Sequence, residues 1–403
     1  MHTIKLRIGY RIFFVLITTF LFLMVNGSLA QREATPDANA GSVSVGPQTG
    51  QPLAAATPNI PATPPAAPQM KPGAVAPSQP LGIDPKTMTP LYETIQEDWS
   101  SLQIGTSKLQ PEPPLETPVD EQDSFTRQLV QVKWRPGDPL DLWIILPKGV
   151  KKPPVVLYLY DNGWDTDRFK DAGWDQRATA GGVAAVGFVA ALSGHRFHDR
   201  PMSQSFVSEL EESLGSTVHD VKFILDYLTQ RGDVDMNRIG MFGAGSGGTI
   251  AILAAASDSR IKAVDALDPW GDWPDFVTKS SIILGEPDYE KYAKPEFLKE
   301  VAPLDPVKWL PQLTVPVRIQ QVHQNAATPI ECKESIKAAA PKQAEVVRFE
   351  AVSDLGRREG QGRLFEWIKD RLQPSGKSGM GSPALSMANG QTAPQQQGPR
   401  KQP

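Results

Sequence analysis

Four glycines fall within the seven residues Phe242-Gly243-Ala244-Gly245-Ser246-Gly247-Gly248, which join a short strand at 238–242 to a helical run at 249–256. A junction that sharp brings strand and helix nearly into contact, so small residues are needed two positions before and two after its apex. The apex takes a strained backbone conformation that glycine adopts most easily. The plain alternative is a glycine-rich turn without chemistry. A nucleotide-binding loop fits less well, because the cluster lies late in the chain and no lysine closes it.

The elements around this turn are consistent with one another. Residues 125–134 and 140–146 read as two strands around the turn Arg135-Pro136-Gly137-Asp138. Residues 155–160, led by Pro153-Pro154, and residues 182–192 are continuous apolar runs of the kind found in buried parallel strands. Residues 206–227 have helical spacing, with Val218, Phe223, Ile224 and Leu228 on one face. Further strands are expected at 261–267, 315–322 and 344–351, and helices at 329–340 and 361–372. A hairpin followed by strands alternating with helices predicts an α/β fold, a mainly parallel sheet with helices on both faces.

Arg238-Ile239-Gly240-Met241-Phe242-Gly243, the glycine cluster and Arg260-Ile261-Lys262-Ala263 resemble the nucleophile-elbow region of the α/β-hydrolase superfamily. The style is that of its dienelactone-hydrolase, acetyl-xylan-esterase and prolyl-oligopeptidase branches. Leu146-Pro147-Lys148-Gly149, ahead of Pro153-Pro154, is similar to the same branches. The resemblance covers about 125–372 and implies the α/β-hydrolase fold, with ester or peptide hydrolysis as the activity of the family.

The catalytic positions that the resemblance implies are off pattern. The family nucleophile stands between two glycines, as Gly-x-Ser-x-Gly. With the double glycine in register, Gly243 and Gly247 flank the apex, and the apex is Gly245, which carries no nucleophile. In a shifted register Ser246 is the apex between Ala244 and Gly248; the first register is preferred because it satisfies both flanking glycines. The acid is implied after the strand at 315–322, where His323-Gln324-Asn325-Ala326-Ala327-Thr328-Pro329 holds no carboxylate. The histidine is implied after the last strand, where Asp354 and Arg357 stand and no histidine remains. An imidazole is what takes the serine proton near neutral pH. Relatives carry His-Gly-Gly or a similar run after the first buried strand, where this chain has Asp161-Asn162-Gly163-Trp164. A carboxylate at Asp161 opposes a developing oxyanion unless it is turned away.

Other residues have two readings. Ser193-Gly194-His195-Arg196-Phe197-His198-Asp199-Arg200 follows a strand at the edge where open α/β sheets bind ligands. His195, His198 and Asp199 are read as a hydrogen-bonded loop ahead of a metal site. His219 is read as a packed or surface residue. Asp268 can stand in for the acid, so Ser246, Asp268 and His195 form the alternative catalytic set. Asp161, Trp164, Trp270 and Trp273, with Trp174, are candidates for an aromatic pocket, and packing of loops against the body serves the tryptophans equally well. Cys332, the only cysteine, is read as a small buried hydrophobe rather than a reactive thiol. No cofactor and no metal is expected.

The ends have a different character. Lys5, Arg7 and Arg11 precede an apolar run at 12–25, and Ser28-Leu29-Ala30 places small residues at −3 and −1 of a cut before Gln31. That is the pattern of a signal peptide at 1–30, with an uncleaved anchor as the rival reading. Residues 31–90 are Pro, Ala, Thr, Gly and Gln with almost no large apolar side chain, and are expected to form a disordered linker. A disordered tail is expected at 374–403, leaving one folded body at 91–373. A net charge of −4 with no basic block excludes a nucleic-acid footprint. The expectation is an exported protein, periplasmic or extracellular, with no membrane span after cleavage. It is expected to be impaired in catalysis and to keep a pocket for a small molecule or peptide. An active serine hydrolase and a cell-envelope interaction module are the alternatives.

Overall fold

Burial nearly alternates along β1 (Phe125–Arg135) and β2 (Asp138–Pro147), so this hairpin has one covered and one half-open face. Every residue of β3 (Val155–Leu159) and β4 (Ala184–Phe188) is buried, as is all of β5 (Ile239–Ala244) up to its last residue. Strands of that kind are covered on both faces and belong to a parallel core. A computed structural model describes residues 97–373, apart from 108, 136, 164, 197–204 and 287, together with the backbone at 82–83 and 90–91. The segments expected to be signal peptide and tail, nearly all of the expected linker, Trp164, His198 and Asp199 lie outside the described residues.

Three further strands, β6 (Ile261–Leu267), β7 (Val317–Val322) and β8 (Glu345–Phe349), give the main strands of the ten-stranded sheet the order β8-β7-β6-β5-β3-β4-β2-β1, and two two-residue strands, Leu115–Glu116 and Asp120–Glu121, pair antiparallel with β1. Neighbours from β8 to β4 are parallel, and β2 runs antiparallel to both β4 and β1. Alternate residues of a strand face opposite sides. Val155, Leu157 and Leu159 accordingly join an apolar cluster with residues of α2 (Leu210–Arg231) and α3 (Ser246–Ser257). Val156 and Tyr158 join a second cluster with Trp174 of α1 (Ala172–Thr179) and with Phe365 and Ile368 at the C-terminal helix. The doubly covered α/β sheet is therefore as the alternation of runs predicts.

The elements that differ from expectation are short and polar. The helix α1 starts where Asp171 accepts a hydrogen bond from Trp174 N at 2.6 Å, and its small apolar face is too brief to register as a period. Short helices also fill 273–312. After β8, where a loop is expected, the chain forms α5 (Val352–Gly360), and the helix expected at 361–372 shortens to α6 (Glu366–Arg371). Between β7 and β8 lies α4 (Ile330–Ala339). His219 on α2 is fully buried, with Nδ1 2.6 Å from Glu97 Oε1 and Nε2 2.8 Å from Ser101 O, so it ties the first described segment to the helix. No helix among the described residues is long and apolar enough to cross a membrane.

Candidate active site

The strand β5 passes into α3 through one residue. Gly245 has φ +56° and ψ −122°, a conformation that strains any L side chain. Its N–H donates to Leu267 O at 2.8 Å, and its carbonyl accepts from Gly248 N at 3.0 Å. The crossing is as close as the glycine spacing requires. A Cβ on Gly243 would lie 2.1 Å from Gly247 O, and a Cβ on Gly247 would lie 2.2 Å from Leu159 O. The apex is thus Gly245, and Ser246 is the first residue of the helix.

The space above the apex belongs to Asp161, two residues beyond β3. A Cβ on Gly245 would meet its Cγ at 2.5 Å and its carboxylate oxygens at 2.6 and 2.7 Å. Asp161 Oδ1 accepts from Asn162 N at 2.9 Å, from Ser246 Oγ at 3.0 Å and from Ser246 N at 3.3 Å. In an elbow of this type, the N–H after the nucleophile and an N–H from the loop after the third strand are the donors that receive the oxyanion. Here both point at a carboxylate of the chain itself. Burial pushes the Asp161 carboxyl above its ordinary range, and the hydrogen bonds from Ser246 and Asn162 oppose that rise.

The other triad candidates are held elsewhere. Asp268, at φ +44° just past β6, accepts from Val322 N at 2.9 Å and from Asn325 Nδ2 at 2.8 Å. Both of its oxygens therefore staple the end of β6 to the turn after β7. Burial raises its pKa, while Asn325 and Val322 act in the opposite direction. His195 Nδ1 lies 2.8 Å from Asp165 Oδ1, and Nε2 lies 3.5 Å from Asp141 Oδ2. Ser246 is fully buried, and its hydroxyl bonds Asp161 and Asn162 with no described histidine among its partners. His323 is exposed on a shallow hollow shared with Lys279, Asn325 and Glu331. The structure brings Asp161, Asn162, Gly245 and Ser246 together; it does not bring Ser246, Asp268 and His195 into one hydrogen-bonded set.

Residues 183–321, running from β4 to β7 through the elbow, match the sequence model of the prolyl oligopeptidase family. The fold matches acetyl xylan esterase 1 from Thermoanaerobacterium sp. JW/SL YS485 with a TM-score of 0.52 at 13% identity, over 64% of this chain and 88% of that one. The chain belongs to the α/β-hydrolase superfamily. The acetyl xylan esterase of Paenibacillus sp. R4 gives a TM-score of 0.50 at 16% identity, over 68% of this chain and 90% of its own. A curated Bacillus subtilis (strain 168) protein, named as the hydrolase YtaP, is 32% identical over 134 residues, which are 30% of this chain and 45% of that relative. The chain thus spans less than half the length of the curated relative it matches.

In this α/β-hydrolase fold the described tryptophans among the pocket candidates, Trp174, Trp270 and Trp273, are buried and packed on other aromatic rings. Trp270 and Trp273 are buried; Trp270 stacks on Phe276 at 4.9 Å, and Trp273 meets the same ring edge-on at 5.7 Å. Buried Trp174 donates from Nε1 to Tyr160 Oη at 3.0 Å. Cys332 is buried too, and burial pushes its thiol up to about 12, with Asp272 and Asp275 adding to the shift. The sequence reading passes over one buried pair, Asp265 on β6 with Arg318 on β7, whose two hydrogen bonds measure 3.0 and 2.6 Å. Opposite charges inside two buried strands were the available signal, and the two residues are direct partners in the parallel register.

Proposed function

We propose that this chain is a catalytically silent relative of esterases and peptidases, exported and retained as a binding body. The observation that carries the reading is Asp161, whose carboxylate takes the N–H groups of Ser246 and Asn162 above an apex without a side chain. An ester carbonyl entering that cradle must displace the carboxylate or develop its own negative charge beside it. Two unit charges about 4 Å apart repel by roughly 4 kcal/mol at an effective dielectric of 20, which corresponds to about a thousandfold in rate. The lineage is supported by the prolyl oligopeptidase match and by the acetyl xylan esterase folds. Export is supported by the charged, apolar and small-residue order of the first thirty residues. A ligand, small molecule or peptide, is proposed at the carboxyl edge of the sheet, where open α/β sheets bind.

A second reading has one observation in its favour. Ser246 Oγ lies 3.0 Å from Asp161 Oδ1, and burial raises the pKa of that carboxylate, as a base for the hydroxyl requires. Against it, Ser246 is fully buried and its own N–H binds the same carboxylate. Turnover of p-nitrophenyl acetate near neutral pH separates the two readings. A silent chain gives the buffer rate, unchanged in Ser246→Ala; turnover that disappears in Ser246→Ala overturns the proposal. The N-terminus of protein recovered from the native envelope is expected at Gln31, and a chain keeping Met1 would refute cleavage.

A further inference from the structure

Where the resemblance expects a histidine, β8 runs into α5 instead, and the two enclose a hollow of about 340 Å³. Its lining includes Arg348, Phe349, Asp354, Arg357, Arg358 and Arg363. Four guanidinium groups thus meet one carboxylate, in a chain whose net charge is −4. Asp354 pairs with Arg357 at 3.0 Å. Arg348 turns to Glu334 on α4, and also reaches Gln321 Oε1 at 3.3 Å. Arg358 lies over the Phe349 ring, 5.1 Å from its centroid. Among the described residues, neither the Arg358 nor the Arg363 side chain has a hydrogen bond or an ion pair.

Helix-end electrostatics account for part of this cluster, since cations are favoured near a helix C-terminus. That covers Arg357 and Arg358, in the last turn of α5, but not Arg348 on the strand or Arg363 beyond the helix. Like charges around one hollow repel, and a bound anion relieves them. Guanidinium forks suit bidentate contact with oxyanions, and the ring of Phe349 fixes the plane of Arg358. A volume of about 340 Å³ holds a small ligand rather than a polymer chain.

We propose that this hollow binds a small multivalent oxyanion, one bearing phosphate, sulfate or several carboxylate groups, held by Arg358 and Arg363 with Arg348 and Arg357 at its rim. The site stands whether or not hydrolysis survives at the elbow.

Calorimetric titration of the full chain at low ionic strength with inorganic pyrophosphate, inorganic sulfate and citrate separates the three sources. At least one is expected to bind, and the double variant Arg358→Ala/Arg363→Ala to weaken that binding by roughly tenfold or more. Lys151→Ala/Lys152→Ala removes the same charge from an exposed turn ahead of β3 and is expected to leave binding within about twofold. If the alanine pair unfolds, Arg358→Gln/Arg363→Gln is read in its place. Absence of binding by all three anions, or equal weakening by the lysine pair, overturns the site.

Discussion

At the elbow the backbone makes the sharp turn that the glycine spacing implies, with a carboxylate over its apex; after β8 a helix stands where a loop is expected. The contrast has a steric cause. Gly243 and Gly247 lie where β5, α3 and the end of β3 nearly touch, and a Cβ at either position would come within 2.2 Å of a carbonyl oxygen. The crossing is therefore fixed by packing, whatever becomes of catalysis. By contrast β8 pairs only with β7, and the α5 glycines, Gly356 and Gly360, meet nothing within 4 Å of an added Cβ. That segment is held by side-chain contacts, an ion pair from Glu359 to Arg168 and Leu355 against the second cluster, rather than by a backbone crossing, so a helix lined with arginines can stand where a loop is expected. Steric closeness fixes the centre of the fold and leaves its margin open to change.

Moving one methyl group between the two regions gives the largest expected effect. Gly247→Ala should destabilise by roughly 3 kcal/mol or more, because backbone must shift to admit it. Gly356→Ala should stabilise by about 0.5–1 kcal/mol, as glycine is a poor residue inside a helix. Urea unfolding midpoints of the two variants decide the matter, and similar midpoints would break the comparison.

Restoring the missing side chain is the next probe. Gly245→Ser places a side chain at φ +56° and against Asp161, and should destabilise by roughly 2–4 kcal/mol. Asp161→Gly in the same chain removes the collision but not the backbone strain. The double variant should then be more stable than additivity allows by about 1–2 kcal/mol. Neither variant should hydrolyse p-nitrophenyl acetate, because no described histidine bonds near the apex. Strict additivity would mean that Asp161 does not occupy the nucleophile's space.

A smaller effect follows from the charge on Asp161. Its carboxyl holds a proton more tightly in the folded chain than in the unfolded one. Its contribution to stability is therefore full below the ordinary carboxylate pKa and lost as pH rises through the folded value. Asp161→Asn keeps the Oδ1 acceptor and removes that loss. Its melting temperature should match the parent's near pH 3 and exceed it by about 2 °C near pH 7. A variant that loses stability as pH rises just as the parent does would place the carboxylate in water.

The parts of this molecule legible in the sequence are those set by sterics and continuous burial. The apolar runs of β3, β4 and β5 and the spacing Gly243-Ala244-Gly245-Ser246-Gly247 each have few other solutions. What escaped depends on partners distant in sequence. The bond from Ser246 to Asp161 spans 85 residues, and Asp268 commits its oxygens to Val322 and Asn325, 54 and 57 residues away. The helix α5 escaped because it is short and polar, with two glycines and only Val352 and Leu355 as apolar side chains, neither of them fully buried.

The most direct test of the central claim, that this elbow holds a carboxylate where a hydrolase holds its nucleophile, is reaction with an alkyl fluorophosphonate read by peptide mass spectrometry. Such a probe needs an activated serine. The expected result is no adduct on Ser246 under conditions that fully label an active serine esterase. An adduct on Ser246 that is absent from Ser246→Ala would contradict the claim, and its further loss in Asp161→Asn or His195→Ala would name the base.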